Sequence, residues 1–392
     1  MILSANTLIT GDGKTILRDA AVRISQGRIT AVDTRAALLA AHPGDTHTDY
    51  GAATLLPGLI DMHVHLGYYS IRHDAVRFTP HLAAYLALSR ARHFLKMGVT
   101  TLRDVFSPHD LCRQLAYADE SGMVRVPRLF YCNLALTVSG GIDWDADGTV
   151  QVDGCDDIRR AVRQQVRAGA TWIKAMCDAR SPGFSEFDQA ELDMIVKESH
   201  RRGVKAAAHA DLQPGIDMCI NAGFDTLEHG NLLTPGQAKR MAEKGQALVS
   251  TSYVYTYLLD TVRARMEAGD NSAKTRGAYE RYRHSVETFA ENLPRFRDAG
   301  LTILAGTDCP FDDLAHVSLA WELSNMVACG LSPLTAIEAA TSSAARVLGL
   351  AGEIGILAPG ALADIIIADA NADNDITALK RIAAVYQAGE LV

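Results

Sequence analysis

Leu59-Ile60-Asp61-Met62-His63-Val64-His65 reads as a buried strand, apolar except for one acid and two histidines. Side chains alternate along a strand with a period of two, so His63 and His65 point to the same side. Two imidazoles on one face of a rigid strand make half of a metal site, because zinc and other first-row metals take imidazole nitrogen well. Pro57-Gly58 just ahead marks a hinge between this strand and whatever precedes it. A His-x-His taken alone can equally be two incidental core residues, so the remainder of the chain has to decide.

On the N-terminal side of the hinge, residues 1 to about 57 read as short strands and turns. Stretches 1–8, 20–25 and 28–32 are strand-like, with turns at Gly11-Asp12-Gly13 and Gln26-Gly27. From about residue 350 the same texture returns in Gly352-Glu353-Ile354-Gly355, Pro359-Gly360 and the run Ala363-Asp364-Ile365-Ile366-Ile367-Ala368. Two β-rich ends around a long middle predict one small composite β-sandwich, built from 1–57 and 350–392.

The middle, 58–349, is punctuated by glycine. Gly98, Gly122, Gly169, Gly203, Gly223, Gly245 and Gly300 each follow a helical or polar stretch and precede an apolar run. Glycine is the residue that closes a helix in a left-handed conformation. The runs that follow, near residues 99–102, 128–132, 171–174, 204–209, 224–229, 248–251 and 301–305, make eight strands with the His63 strand. Thr234-Pro235 and Ser332-Pro333 place a cap before a proline at the first helical position. Residues 188–202 space Leu192, Ile195, Val196 and Ser199 along one helical face. Eight strands alternating with helices is an α/β pattern and predicts a TIM-like (β/α)8 barrel. A doubly wound open sheet competes, but would show a glycine-rich phosphate loop after the first strand, and none is present. Residues 253–299 exceed what one crossover needs and predict a helical lid.

Composition narrows the function classes. The chain has 392 residues, 48% hydrophobic and 21% charged, with a formal net charge of -8. That balance is globular, and the negative charge without a Lys/Arg cluster argues against a nucleic-acid surface. No positive n-region opens the chain and no apolar run reaches a membrane span. Seven cysteines without a Cys-x-x-Cys pair fit reduced thiols. A cytoplasmic protein with a small-molecule substrate, no nucleic acid and no membrane partner is expected.

In barrel enzymes the chemistry sits at the C-terminal ends of the strands. His63 and His65 end the first strand, Lys174 the fourth, His209 the fifth, His229 the sixth and Asp308 the eighth. A lysine at a strand end ordinarily snorkels to solvent. Six polar residues at one structural level resist that kind of explanation, because burying them without pairing or a metal would cost several kcal/mol.

The sequence resembles the amidohydrolase superfamily over nearly its whole length. The motifs that carry the resemblance are Pro57-Gly58-Leu59-Ile60-Asp61-Met62-His63-Val64-His65, Gly98-Val99-Thr100-Thr101, Ala207-Ala208-His209-Ala210, Leu227-Glu228-His229-Gly230 and Ala305-Gly306-Thr307-Asp308. Trp172-Ile173-Lys174 followed by Ser181-Pro182-Gly183 is similar to the imidazolonepropionase-like and Xaa-Pro or Xaa-Arg dipeptidase-like branch. The resemblance implies two divalent metal ions, with zinc expected, and a CO2-derived carbamate on Lys174 that bridges them. One metal would take His63, His65, Lys174 and Asp308, and the other Lys174, His209 and His229. It further implies hydrolysis of a C–N amide bond by a metal-bound hydroxide, with Asp308 as general base and then acid. N-acyl amino acids, dipeptides and cyclic amides are the substrate candidates. The alternative is a mononuclear deaminase or an imidazolonepropionase-type cyclic amidohydrolase, which needs no strand-four lysine. A homo-oligomer is expected.

For substrate binding, the loops after the strands offer Tyr68, Tyr69, Gly141, Arg180 and Tyr253, with Tyr255 and Tyr257 close by and Arg72 as a second cation. Dipeptidase-like relatives often carry a histidine directly after the strand-three glycine pair. Here Gly140-Gly141 is followed by Ile142-Asp143-Trp144, a departure from the peptidase pattern.

Overall fold

The computed structural model describes residues 1–68, 79–108, 110–178, 183, 185–309 and 318–392. It is a mixed α/β fold with parallel sheets at its centre. A three-stranded parallel sheet joins Leu59–Val64, Val99–Asp104 and Arg128–Tyr131. A seven-stranded parallel sheet runs in the order Thr149–Gln151, Ala135–Thr137, Trp172–Met176, Lys205–Ala210, Thr226–His229, Ala247–Val249 and Thr302–Leu304. The eight sequence-predicted strands are all present. The two short strands at 135–137 and 149–151 were not predicted; they flank a loop that the sequence reading placed straight after strand three.

The strands lie buried along their whole length at Leu59–Val64, Val99–Asp104 and Trp172–Met176. That is the environment of parallel strands covered by helices, and the reason they read as unbroken apolar runs. The covering helices obey their own period. In Gly154–Arg167 the buried residues are Ile158, Ala161, Val162 and Gln165, one face of a helix. Asp188 and Thr234 start their helices with reciprocal capping boxes to Glu191 and Gln237. All seven punctuating glycines take positive φ, as the sequence reading expected. The 253–299 region is helical, as Ser252–Glu267 and Ala273–Asp298.

The strands of both termini join one mixed eight-stranded sheet, in the order Glu390–Leu391, Ile382–Gln387, Ile365–Ala368, Thr54–Pro57, Ile2–Ile9, Ile16–Ser25 and Arg28–Thr34, with His47–Asp49 also paired to Ile2–Ile9. Period-two alternation splits its two faces. Leu55, Ile365 and Ile367 enter the sheet's own core with Leu3, Val22 and Tyr386. Leu56 and Ile366 turn the other way and join the large core shared with the helices. Gly58 is the joint: Thr54–Pro57 belongs to the terminal sheet, and Leu59–Val64 to the parallel one. A Cβ on Gly58 would lie 2.2 Å from Thr100 Oγ1.

Backbone hydrogen bonds cross both gaps between the parallel sheets. Thr171 N donates to Tyr131 O at 2.8 Å on one side. On the other, Met62 N donates to Ala305 O at 3.0 Å, Asp308 N to His63 O at 2.9 Å, and His65 N to Cys309 O at 2.8 Å. This second seam is tight because Gly306 lacks a side chain: a Cβ there would lie 2.7 Å from both His63 Cβ and Val249 Cγ1. Gly306→Ala is therefore expected to destabilise the fold by about 1–3 kcal/mol, the range for overpacking. Urea unfolding measures this as a lower midpoint with unchanged slope; an unchanged midpoint would show that the seam has slack.

Candidate metal centre

The last seam carries Asp308 to the His63 strand. His63 Nε2 and His65 Nε2 stand 3.3 Å apart, and Asp308 Oδ1 lies 3.3 Å from the first and 3.2 Å from the second. Asp308 reaches this place with φ +52, a left-handed conformation in which an aspartate is strained. Burial would raise its carboxyl pKa, but His63, His65 and His229 outweigh that and hold it well below the usual range.

Lys174, His209 and His229 line the same cavity, of about 270 Å3, as His63, His65 and Asp308. The His209 and His229 ring centroids are 4.7 Å apart, and those of His63 and His229 4.9 Å. Lys174 is 1% exposed, and burial pulls its pKa down. Burial and then the positive Lys174 push His209 down to about 3. Burial and then His209 hold His229 well below the ordinary imidazole value. Both rings are thus neutral at neutral pH, the form in which histidine binds metals.

The far nitrogen of each first-strand ring is fixed. His65 Nδ1 lies 3.2 Å from Phe106 O, and His63 Nδ1 2.7 Å from Glu228 Oε2. His229 Nδ1 lies 2.7 Å from Thr251 Oγ1. Glu228 and Arg103, both fully buried and paired at 2.8 Å, were not singled out by the sequence reading. Glu228 escaped because period-two alternation would turn it away from a pocket that His229 faces. His229 instead has φ +71, which breaks the pleat and lets consecutive residues both serve the interior. Arg103 had a legible signal: a charge inside the run Val99–Asp104, buried throughout.

A second group was also missed. Asp178, His209 and Asp211 have ligand atoms within 4.8 Å of one another, and Tyr255 donates to Asp211 Oδ2 at 3.0 Å. Burial and then the neighbouring Asp211 raise the Asp178 carboxyl above its ordinary value, and burial raises that of Asp211. Each closes the apolar run that carries a candidate ligand, and that is the signal in the sequence.

Of the substrate-binding candidates, Tyr68 lines the cavity, with Phe106, Asp143, Met176, Val254 and Leu258. Burial and then Asp143, Asp145 and Asp308 push its hydroxyl up to about 12. Gly141 and Tyr253 do not line it. Gly141 is turned toward Val138 and Thr137, so the strand-three loop delivers Asp143 instead. Tyr253 stacks on Trp321 with centroids 5.4 Å apart, and its neighbour Val254 faces the cavity in its place. Tyr69 and Arg180, with Arg72, lie outside the described residues. No helix among the described residues is long and apolar enough to cross a membrane.

Comparison with known proteins identifies the family. Ochratoxinase from Aspergillus niger is 28% identical over 433 aligned residues, covering 100% of this chain and 86% of that protein. Imidazolonepropionase from Ralstonia nicotianae is 28% identical, covering 91% of this chain and 88% of its own. A solved Xaa-Pro dipeptidase, with methionine bound in its active site, superposes with a TM-score of 0.88 at 26% identity, covering 100% and 99%. The amidohydrolase family model matches residues 54–392. This chain belongs to the amidohydrolase family, in its imidazolonepropionase-like and dipeptidase-like branch.

Proposed function

We propose that this chain is a binuclear metal-dependent hydrolase of C–N amide bonds in small molecules. One observation carries the reading: His63 Nε2, His65 Nε2 and Asp308 Oδ1 stand 3.2–3.3 Å apart in a cavity that Lys174, His209 and His229 also line. Ligands about 2.0–2.1 Å from a tetrahedral zinc ion lie about 3.3–3.4 Å from each other, so the trio fits such an ion. His63, His65, Asp308 and Lys174 would hold one cation, and Lys174, His209 and His229 the other. To bridge, Lys174 must be a carbamate; CO2 adds only to a neutral amine, the form that burial favours.

When bound, two divalent cations acidify a water and polarise the scissile carbonyl. Asp308 takes the water proton and delivers it to the leaving nitrogen as the C–N bond breaks. Water oxygen ends on the acyl carbon, and the amine leaves with the proton. Phe106, Met176, Val254 and Leu258 give the cavity an apolar wall for a substituent of the amide. N-acyl amino acids, dipeptides and cyclic amides are the substrate classes of this proposal.

In the same reading the two parallel sheets close into one (β/α)8 barrel over 58–349, supported by the hydrogen bonds across both gaps. The terminal sheet folds over its own core as a sandwich domain of 1–57 and 350–392. Ser252–Glu267 acts as part of a lid, since Val254 and Leu258 reach the cavity.

A mononuclear enzyme of the deaminase or imidazolonepropionase type is the second reading. It is favoured by the fact that His63, His65 and Asp308 by themselves converge at a spacing that suits one ion.

Metal analysis separates the two. The binuclear reading expects about two equivalents per chain, and Lys174→Ala is expected to lose at least one of them, with acetate partly restoring activity by standing in for the carbamate. One equivalent that survives Lys174→Ala would favour the mononuclear enzyme. Asp308→Asn is expected to lower kcat on a responsive amide by about 10²–10⁴-fold, the usual contribution of a general acid–base group. A panel of dipeptides, N-acyl amino acids and cyclic amides supplies the assay; kcat retained in Asp308→Asn would remove the residue from the proton path.

A further inference from the structure

Arg103 and Glu228 form a closed hydrogen-bond set beneath the cavity. Arg103 Nε donates to Met62 O at 2.6 Å. One terminal nitrogen donates to Thr226 Oγ1 at 3.0 Å, and the other to both Glu228 oxygens, at 2.8 and 2.9 Å. The guanidinium lies 4.5 Å over the Trp172 ring. The Thr226 hydroxyl donates to Glu228 Oε1, and Oε2 faces His63 Nδ1 at 2.7 Å.

The roles in this set follow from what each group can do. Guanidinium has only donors, and a carboxylate only acceptors. Both are fully buried, and a charge there without its partner would cost several kcal/mol. Glu228 is therefore a carboxylate, and the hydrogen in its 2.7 Å contact with His63 belongs to Nδ1. A neutral imidazole with its proton on Nδ1 carries a bare lone pair on Nε2. Nε2 is the atom that stands beside His65 Nε2 and Asp308 Oδ1.

We propose that the buried Arg103–Glu228 pair is a positioning device that keeps the proton of His63 on Nδ1 and its Nε2 lone pair aimed into the cavity. His65 obtains the same result from a backbone acceptor, Phe106 O, which no substitution can neutralise. His63 depends on a side chain, so its tautomer can be switched. Three groups donate to the Glu228 carboxylate, and a glutamine there has one acceptor oxygen. The Thr226 hydroxyl can rotate and accept from the amide instead, which leaves Arg103 and His63 Nδ1–H to compete. The glutamine amide must turn a donor toward one of them. Arg103 cannot adapt, but His63 can, by moving its proton to Nε2. That proton would then point at the candidate ligands.

The test reads the ring directly. Histidine 15N NMR of metal-free protein, at a pH high enough to leave the ring neutral, is expected to show Nδ1–H at His63 in the parent. Glu228→Gln is expected to show Nε2–H. The double variant Arg103→Met with Glu228→Gln removes the competing donor and is expected to restore Nδ1–H. Chelator competition with zinc follows the consequence, which rests on the binuclear reading. Glu228→Gln is expected to weaken the equivalent held at the His63 side about 10–100-fold, as second-layer partners of metal ligands do, and the double variant is expected to recover it.

Should Glu228→Gln fail to fold, the double variant is compared with Arg103→Met and Glu228→Met together, a neutral apolar replacement of the kind buried ion pairs tolerate. There the Gln form is expected to keep Nδ1–H and the Met form to lose that preference. Nδ1–H persisting in folded Glu228→Gln, or no difference between the two doubles, overturns the proposal. A tautomer switch between parent and Glu228→Gln, together with a parent that binds no zinc, would sink the binuclear reading and leave this inference standing.

Discussion

Charge in the interior of this fold has to balance locally, because water is not there to do it. Arg103, Lys174, Glu228 and Asp308 meet among four imidazoles, and Arg103 and Glu228 are wholly buried. An isolated ion at such depth would cost far more than the few kcal/mol by which a domain is stable. The pairing of Arg103 with Glu228 meets that condition below the cavity. Above it, Asp308 faces a ring of histidines, which hold its carboxyl ionised although burial works the other way. Lys174 stands between the two layers, pulled toward neutrality by burial. The parallel sheets and the tight seam at Gly306 hold these groups within reach of one another.

How much of this could be read from the chain depends on which rule each residue obeys. The strands with both faces covered were legible because burial writes continuous apolar runs, and the seven glycines that close the helices share one left-handed requirement. His63 and His65 were legible because one strand obeys period-two alternation. Glu228 and His229 are neighbours that both turn inward, and no periodic pattern predicts that; it needs the positive φ of His229. The short strands at 135–137 and 149–151 have only three residues each and leave no periodic trace. They carry Asp143 to the cavity where the chain order alone suggested Gly141.

That loop also bears on what the cavity accepts. Ile142 packs with Phe106, Ala135 and Met176, which anchors the loop just before Asp143. Thr137 Oγ1 donates to Ile142 O at 2.9 Å and Thr149 Oγ1 to Asp143 O at 2.8 Å, so the backbone is held on both sides. In general one scaffold hosts many reactions through the segments that follow its strands, and this loop is such a segment.

His229, Thr251 and Asp308 all adopt positive φ, at +71, +43 and +52. Glycine alone would relax the backbone at these places, and glycine has neither imidazole, hydroxyl nor carboxylate. Any screen that selects this chain for heat tolerance alone would thus be drawn toward changes that erase its chemistry. In the proposed enzyme, stability and activity are opposed at three identifiable peptide units, and engineering for endurance should look elsewhere in the molecule.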